Sequence, residues 1–131
     1  MATLKISDLS VGDWVRYDNG VTPYSIRSIV RTGDQECVVL KDDMYPDGIT
    51  GFVKYLKPIP ITAEILEKNG FERLLECDLF YHSESGLEVA FEDGEWMHTI
   101  NLHEYTIHTI SGVHHIQHLL RLYGCEKEIN L

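Results

Sequence analysis

Lys57-Pro58-Ile59-Pro60-Ile61-Thr62 divides the chain. Two prolines at alternate positions fix φ, keep the backbone extended and stop a helix from running through. A domain boundary is therefore expected here, between residues 1–60 and residues 61–131. Charge changes across the same point. Residues 1–60 carry 7 Lys/Arg and 8 Asp/Glu, a net of −1, whereas residues 61–131 carry 4 and 13, a net of −9.

Upstream of the join, short β-rich runs alternate with turn signals. Trp14-Val15-Arg16-Tyr17 is followed by Asp18-Asn19-Gly20, a turn whose Asn-Gly pair tolerates positive φ. Tyr24 to Arg31 alternates, with Tyr24, Ile26, Ser28 and Val30 on one face and Ser25, Arg27, Ile29 and Arg31 on the other. Gly33-Asp34 turns the chain into a β-branched run, Glu36 to Lys41. Asp42 to Gly48 is polar and holds Pro46, so it reads as a loop. Ile49 to Leu56 is a further strand. So many strands in so short a segment predict a small, strongly curved sheet or β-barrel. Leu9-Ser10-Val11-Gly12-Asp13-Trp14-Val15 resembles the opening of small barrels of the Src-homology or Tudor kind, where a Gly-Asp turn leads into the first strand.

Downstream, Thr62 is positioned to cap a short helix, with Glu64 in its first turn and Asn69-Gly70 as its stop. Ile61 and Leu66 form a hydrophobic staple. An antiparallel meander follows. Leu75 to His82 is a strand, Ser83 to Gly86 a turn, and Leu87 to Glu92 an alternating strand with Leu87, Val89 and Phe91 on its apolar side. Asp93-Gly94 is a hairpin signal. Trp96 to Leu102 and Tyr105 to Ile110 complete the meander. The last helix is expected to start at Ser111 and stop at Gly124. At 100° per residue, Val113, Ile116, Leu119, Leu120, Leu122 and Tyr123 form its apolar face, and His114, Gln117, His118 and Arg121 its wet face. Lys127 to Leu131 is read as a closing strand. The fold class is α+β: an N-terminal small β-barrel half, then an α+β half whose meander is covered by a C-terminal helix.

The join, with Ile65-Leu66 and Asn69-Gly70-Phe71-Glu72, resembles the middle of a family of small uncharacterised proteins of gut Bacteroidetes and their phages or prophages. The opening Leu9-x-x-Gly-Asp-Trp-Val and the helix Val113-His114-His115-Ile116-Gln117-His118-Leu119 fit the same family. The final helix departs from it in carrying extra histidines. The resemblance implies a phage-associated context and a fold, and supplies no catalytic residue.

Composition narrows the chemistry. The 131 residues are 44% hydrophobic and 24% charged, with a net charge of −10. No apolar run approaches the ~20 residues of a membrane span. Met1 to Ser10 lacks a signal-peptide pattern, so a cytoplasmic location is expected. The acidic balance opposes the counterion release that drives bulk nucleic-acid binding. Cys37, Cys77 and Cys125 are odd in number and share no Cys-x-x-Cys spacing, which fits free, buried thiols rather than disulfides or a cysteine-rich zinc site. Cys125 stands at the wrong end of a helix for an activated nucleophile, and Cys77 lies between Glu76 and Asp78.

His114 and His118 are one helical turn apart and are the candidate metal pair, with His103 or His108 as a third ligand. His115 stands where a zinc protease would need Glu, and Arg121 opposes a cation nearby. The competing reading is a solvated helix face. His115, at the edge of the apolar face, reads as structural. Glu88 and Glu92 share a strand face and could pair as acid and base, but their face is the wet one. No phosphate-cradling, dinucleotide-binding or nucleophile-elbow motif occurs, and no cofactor is expected.

Trp14, Tyr17, Tyr24, Phe52 and Tyr55 are the interaction candidates. Most should fill the core, and a few could stay outside to grip a peptide or a nucleic-acid strand beside Arg16, Arg27, Arg31, Lys41, Lys54 and Lys57. The expected function is that of a non-catalytic binding or adaptor protein acting through a protein partner. The alternatives are nucleic-acid binding by the barrel half and an acidic mimic of nucleic acid.

Overall fold

Residues 4–74, 78–99, 107–125 and 127–131 are described by the computed structural model. They divide into two compact units, Met1–Ile59 and Pro60–Leu131. Each unit holds one five-stranded antiparallel sheet. Among the described residues no helix is long and apolar enough to cross a membrane.

The first unit contains β1 (Trp14–Tyr17), β2 (Tyr24–Thr32), β3 (Gln35–Lys41), β4 (Ile49–Phe52) and β5 (Leu56–Pro58), in sheet order β4-β3-β2-β1-β5. The strand expected over residues 49–56 is cut by a 3-10 turn, Val53–Tyr55. The reason is topological: β4 pairs with β3 at one edge, and the chain must turn to reach β1 at the other. Pro58 is tolerated because β5 is an edge strand. No pairing between β4 and β5 closes this sheet among the described residues.

The alternation expected in β2 also breaks. A register shift lies between Ile26 and Ser28, so Arg27 is the extra residue of a β-bulge. One added residue reverses the parity of the rest of the strand. Ile26 is buried and Ile29 packs against the same core, while Val30 is 42% exposed. That core comprises Leu4, Leu9, Val15, Ile26, Val38, Leu40, Val53 and Leu56. Entry to β1 depends on Asp13, which is fully buried and accepts the Ser10 N–H at 2.8 Å. In the turn after β1, Asp18 rather than the Asn-Gly pair takes the positive φ, +55°.

The second unit begins with α1 (Ala63–Lys68), where the Thr62 hydroxyl accepts the Ile65 N–H as expected of an N-cap. β6 (Phe71–Arg73) follows and had not been anticipated. It leads to β7 (Leu79–His82), β8 (Leu87–Glu92), β9 (Glu95–Thr99) and β10 (Ile107–Ile110). Sheet order β10-β9-β8-β7-β6 is the expected meander. The β8–β9 hairpin turns on Asp93 and Gly94, both with positive φ (52° and 79°). The strand stretches expected over Leu75–Cys77, Ile100–Leu102 and Tyr105–Thr106 lie outside the described residues.

Phe71, Phe80, His82, Leu87, Val89 and His98 are buried on this sheet. Phe91 departs from the expected alternation: it is 40% exposed and lies against Trp96, ring centroids 5.1 Å apart. The Trp96 indole in turn donates to the Ile61 carbonyl, tying β9 to the entry of α1.

The final helix, α2 (Val113–Leu122), starts at Gly112 rather than Ser111, and His115 Nδ1 reaches back to accept the Ser111 N–H. Its buried residues are Val113, His114, Ile116, Gln117, Leu119 and Leu120, whereas Leu122 is 82% exposed and Tyr123 is exposed too. The face is thus rotated toward His114 and Gln117. Side-chain polarity alone mislocated it because the helix meets histidine on the sheet as well as hydrocarbon: the His115 ring lies 5.8 Å from that of His98. After the helix, residues 127–131 form no strand. The backbone of Asn130 instead bonds both ends of the Asn69 amide, and Ile129 is buried.

Candidate functional site

Three of the five aromatic candidates converge on the first unit. Tyr17 ends β1, Phe52 ends β4, and Tyr55 sits in the 3-10 turn between β4 and β5. The Tyr17 and Tyr55 rings meet edge to face at 5.9 Å, and those of Phe52 and Tyr55 at 6.3 Å. The Tyr17 hydroxyl accepts the Phe52 N–H. A Cβ at position 51 would stand 3.2 Å from the Tyr17 ring, so Gly51 is what lets that ring approach β4. Phe52 and Tyr55 remain 39% and 42% exposed. Lys54 Nζ lies 5.0 Å from the Tyr55 ring and 5.7 Å from that of Phe52, close enough for cation–π attraction. The result is an aromatic ledge carrying one ammonium group.

Trp14 and Tyr24 do not belong to it. Tyr24 packs against the core, and Trp14, next to inward-facing Val15, points to the opposite face of β1. Most of the basic residues named with the aromatics are engaged elsewhere. Arg16 donates to the Pro58 carbonyl, Arg27 to that of Asp47, Arg31 pairs with Glu36, and Lys57 donates to Asn19.

On the second unit the histidines are redistributed relative to expectation. His114, assigned to the wet face, is only 2% exposed, and His118 is half-buried. Their rings stand perpendicular with centroids 5.9 Å apart. His103 lies outside the described residues, as does the His108 side chain. Glu88 and Glu92 are exposed, as their wet face required.

A different constellation forms at the end of β7. Donor atoms of His82, Glu84 and Cys125 all lie within 4.8 Å of one another. His82 is buried in the sheet, and Glu84 occupies the turn that follows it. Cys125 arrives from the far end of α2 through a Schellman motif: Cys125 N–H bonds the Leu120 carbonyl, Gly124 N–H bonds that of Arg121, and Gly124 has φ +81°. The three groups open onto a cleft of about 520 Å³, also lined by Lys68, Gly70 and Lys127.

Electrostatics assigns their protonation. Lys127 Nζ sits 3.0 Å from Glu84 Oε1, and this ammonium group holds the Glu84 carboxyl below its ordinary value while its own is raised in return. The Cys125 thiol donates to Glu84 Oε2 at 3.8 Å. Burial pushes the His82 imidazole below its ordinary 6.5, with a smaller upward pull from Glu84 and a smaller downward push from Lys127. His82 Nδ1 accepts the Ser85 N–H at 3.2 Å and lies 2.7 Å from Ser85 Oγ, which accepts the Leu87 N–H. A nitrogen that accepts carries no proton, so the neutral ring holds its hydrogen on Nε2.

Sequence reading missed this trio because 41 residues separate Glu84 from Cys125. The local trace is a His-x-Glu pair at a strand end, which by itself is unremarkable. No protein-family model, curated protein or solved structure matches the chain.

Proposed function

We propose that the chain is a non-catalytic binding protein whose first unit docks an extended, proline-containing segment of a protein partner on the Tyr17–Phe52–Tyr55 ledge. The observation that carries this reading is the exposure of Phe52 and Tyr55, whose rings meet edge to face while that of Tyr55 also meets Tyr17 edge to face. Rings fixed in this way lose little side-chain entropy on binding, and extended proline segments dock on aromatic-lined surfaces. The sheet order supports the further reading that the unit is a small barrel of the Src-homology or Tudor kind. β5 returns to pair with β1 after a 3-10 turn, which leaves only β4 and β5 to meet if the curled sheet closes. An adaptor role, a cytoplasmic location and the phage-associated context that the family resemblance implies belong to the same proposal. The −10 net charge and the engaged arginines argue against nucleic acid as the occupant.

The test is fluorescence anisotropy with a labelled polyproline peptide, a labelled proline-containing peptide library and a labelled oligothymidine strand. Peptide binding that weakens by about 2 kcal/mol or more in Tyr55→Ala and Phe52→Ala supports the reading. Strand binding without peptide binding replaces it with single-strand recognition, in which the same rings stack on bases beside Lys54. Binding of neither probe, or binding indifferent to both substitutions, overturns it.

A further inference from the structure

We propose that His82, Glu84 and Cys125 form a binding site for a single divalent transition-metal ion of the Zn²⁺ type, with a fourth position open to the cleft. A neutral imidazole, a carboxylate and a thiol supply the N, O and S donors that such an ion accepts, three protein ligands leaving one place free. The spacing is close to what coordination needs. Zn–S near 2.3 Å and Zn–O near 2.1 Å at a tetrahedral angle give an S···O edge of about 3.6 Å. Cys125 Sγ and Glu84 Oε2 stand 3.8 Å apart. The remaining separations, at most 4.8 Å, need to contract by up to roughly 1.3 Å, which takes a swing of the exposed Glu84 side chain and a side-chain adjustment at His82 or Cys125.

The surroundings select which atoms serve. Glu84 Oε1 is held by Lys127, which leaves Oε2 on the thiol side for the ion. His82 Nδ1 is engaged by Ser85, which leaves Nε2. Glycine at position 70 keeps space beside that nitrogen, since a Cβ there would lie 3.4 Å from it. Ligation through Nε2 places the ring proton on Nδ1. The Ser85 hydroxyl can rotate to accept it, the outer-shell partner a metal-bound imidazole ordinarily has, and the 3.2 Å bond from Ser85 N–H is given up. Coordination by sulfur breaks the Cys125 S–H bond as the S–metal bond forms. The proton leaves to solvent, with no change of oxidation state. The C-terminal end of α2, whose carbonyls carry partial negative charge, favours a cation at Cys125.

The experiment uses the full chain, purified without a polyhistidine tag and stripped with chelator, titrated with Zn²⁺ by calorimetry and with Co²⁺ by absorption. One equivalent bound, with a near-ultraviolet thiolate-to-Co²⁺ charge-transfer band, is expected. Cys125→Ser should abolish the band. Glu84→Gln, at an exposed position, should weaken Zn²⁺ by roughly 100-fold, and Ser85→Ala by roughly 10-fold. Circular dichroism confirms that each variant is folded, and Glu84→Gln keeps the test valid if Cys125→Ser is not. Absence of stoichiometric binding overturns the proposal. So does binding unchanged by Cys125→Ser and Glu84→Gln, or binding lost instead in His118→Gln, which would locate the ion on α2.

Discussion

The two sheets bury different chemistries. In the first unit the core is aliphatic, with Val15, Ile26, Val38, Leu40 and Leu56 at its centre and Asp13 as a buried carboxylate at the entry to β1. In the second, Phe80, Leu87 and Val89 share the interior with His82, His98, His114 and Gln117. An aliphatic interior needs only matching volume, whereas a polar interior needs directed partners. The first unit leaves Phe52 and Tyr55 outside, on a ledge. The second places its reactive groups at the rim of its own core, where β7 and the end of α2 bring His82, Glu84 and Cys125 together.

The largest effects should come from the apolar core of each unit. Phe80→Ala in the second unit and Leu40→Ala in the first, both fully buried, should cost about 3–5 and 2–5 kcal/mol respectively. Urea melts followed through Trp96 or Trp14 alone, with the other replaced by Phe, would show which unit each change loosens. A cost under about 1 kcal/mol at either position would break the core assignment.

The comparison sharpens at the buried polar groups. Asp13→Ala should lose about 1–3 kcal/mol, because the Ser10 N–H is left without its acceptor in a closed site. His114→Ala should fall in the same range, and His118→Ala should stay within about 0.5 kcal/mol of the parent. Equal effects of the two histidine changes would show that the buried face of α2 is the one sequence polarity indicated.

A smaller effect should appear with pH. His82 is held below 6.5 in the folded chain, so in the interval beneath 6.5 the unfolded chain binds more protons. Stability of the chelator-stripped second unit should therefore be flat above about pH 6.5, fall as pH drops below it, and level off once the folded pKa is passed. Glu84, Lys127 and Cys125 face the same cleft, so the control is His82→Gln, in which this segment of the profile should flatten. A profile unchanged by that substitution would mean that another group is responsible. Smallest of all should be Arg31→Ala, which removes an exposed ion pair with Glu36 and should change stability by about 0–1 kcal/mol.

By itself the sequence determined the elements whose cause is local. Thr62 caps α1 because a side-chain oxygen satisfies a helix N–H. Asp93-Gly94 and Gly124 turn the chain because they accept positive φ. The inward Leu87 and Val89 of β8 and the existence of the amphipathic helix α2, though not its exact face, follow from side-chain direction. The α+β class and the meander come from these. Tertiary structure alone decided what depends on which surface an element meets. The bulge at Arg27 reversed the parity of β2, packing of α2 turned His114 into the interior, and the crossing to β1 broke the strand expected over residues 49–56. The ledge and the cleft belong to this second class, because each joins side chains that are tens of residues apart. Turn chemistry and period act over a few residues, whereas partner choice between elements is settled by packing, which no local pattern encodes.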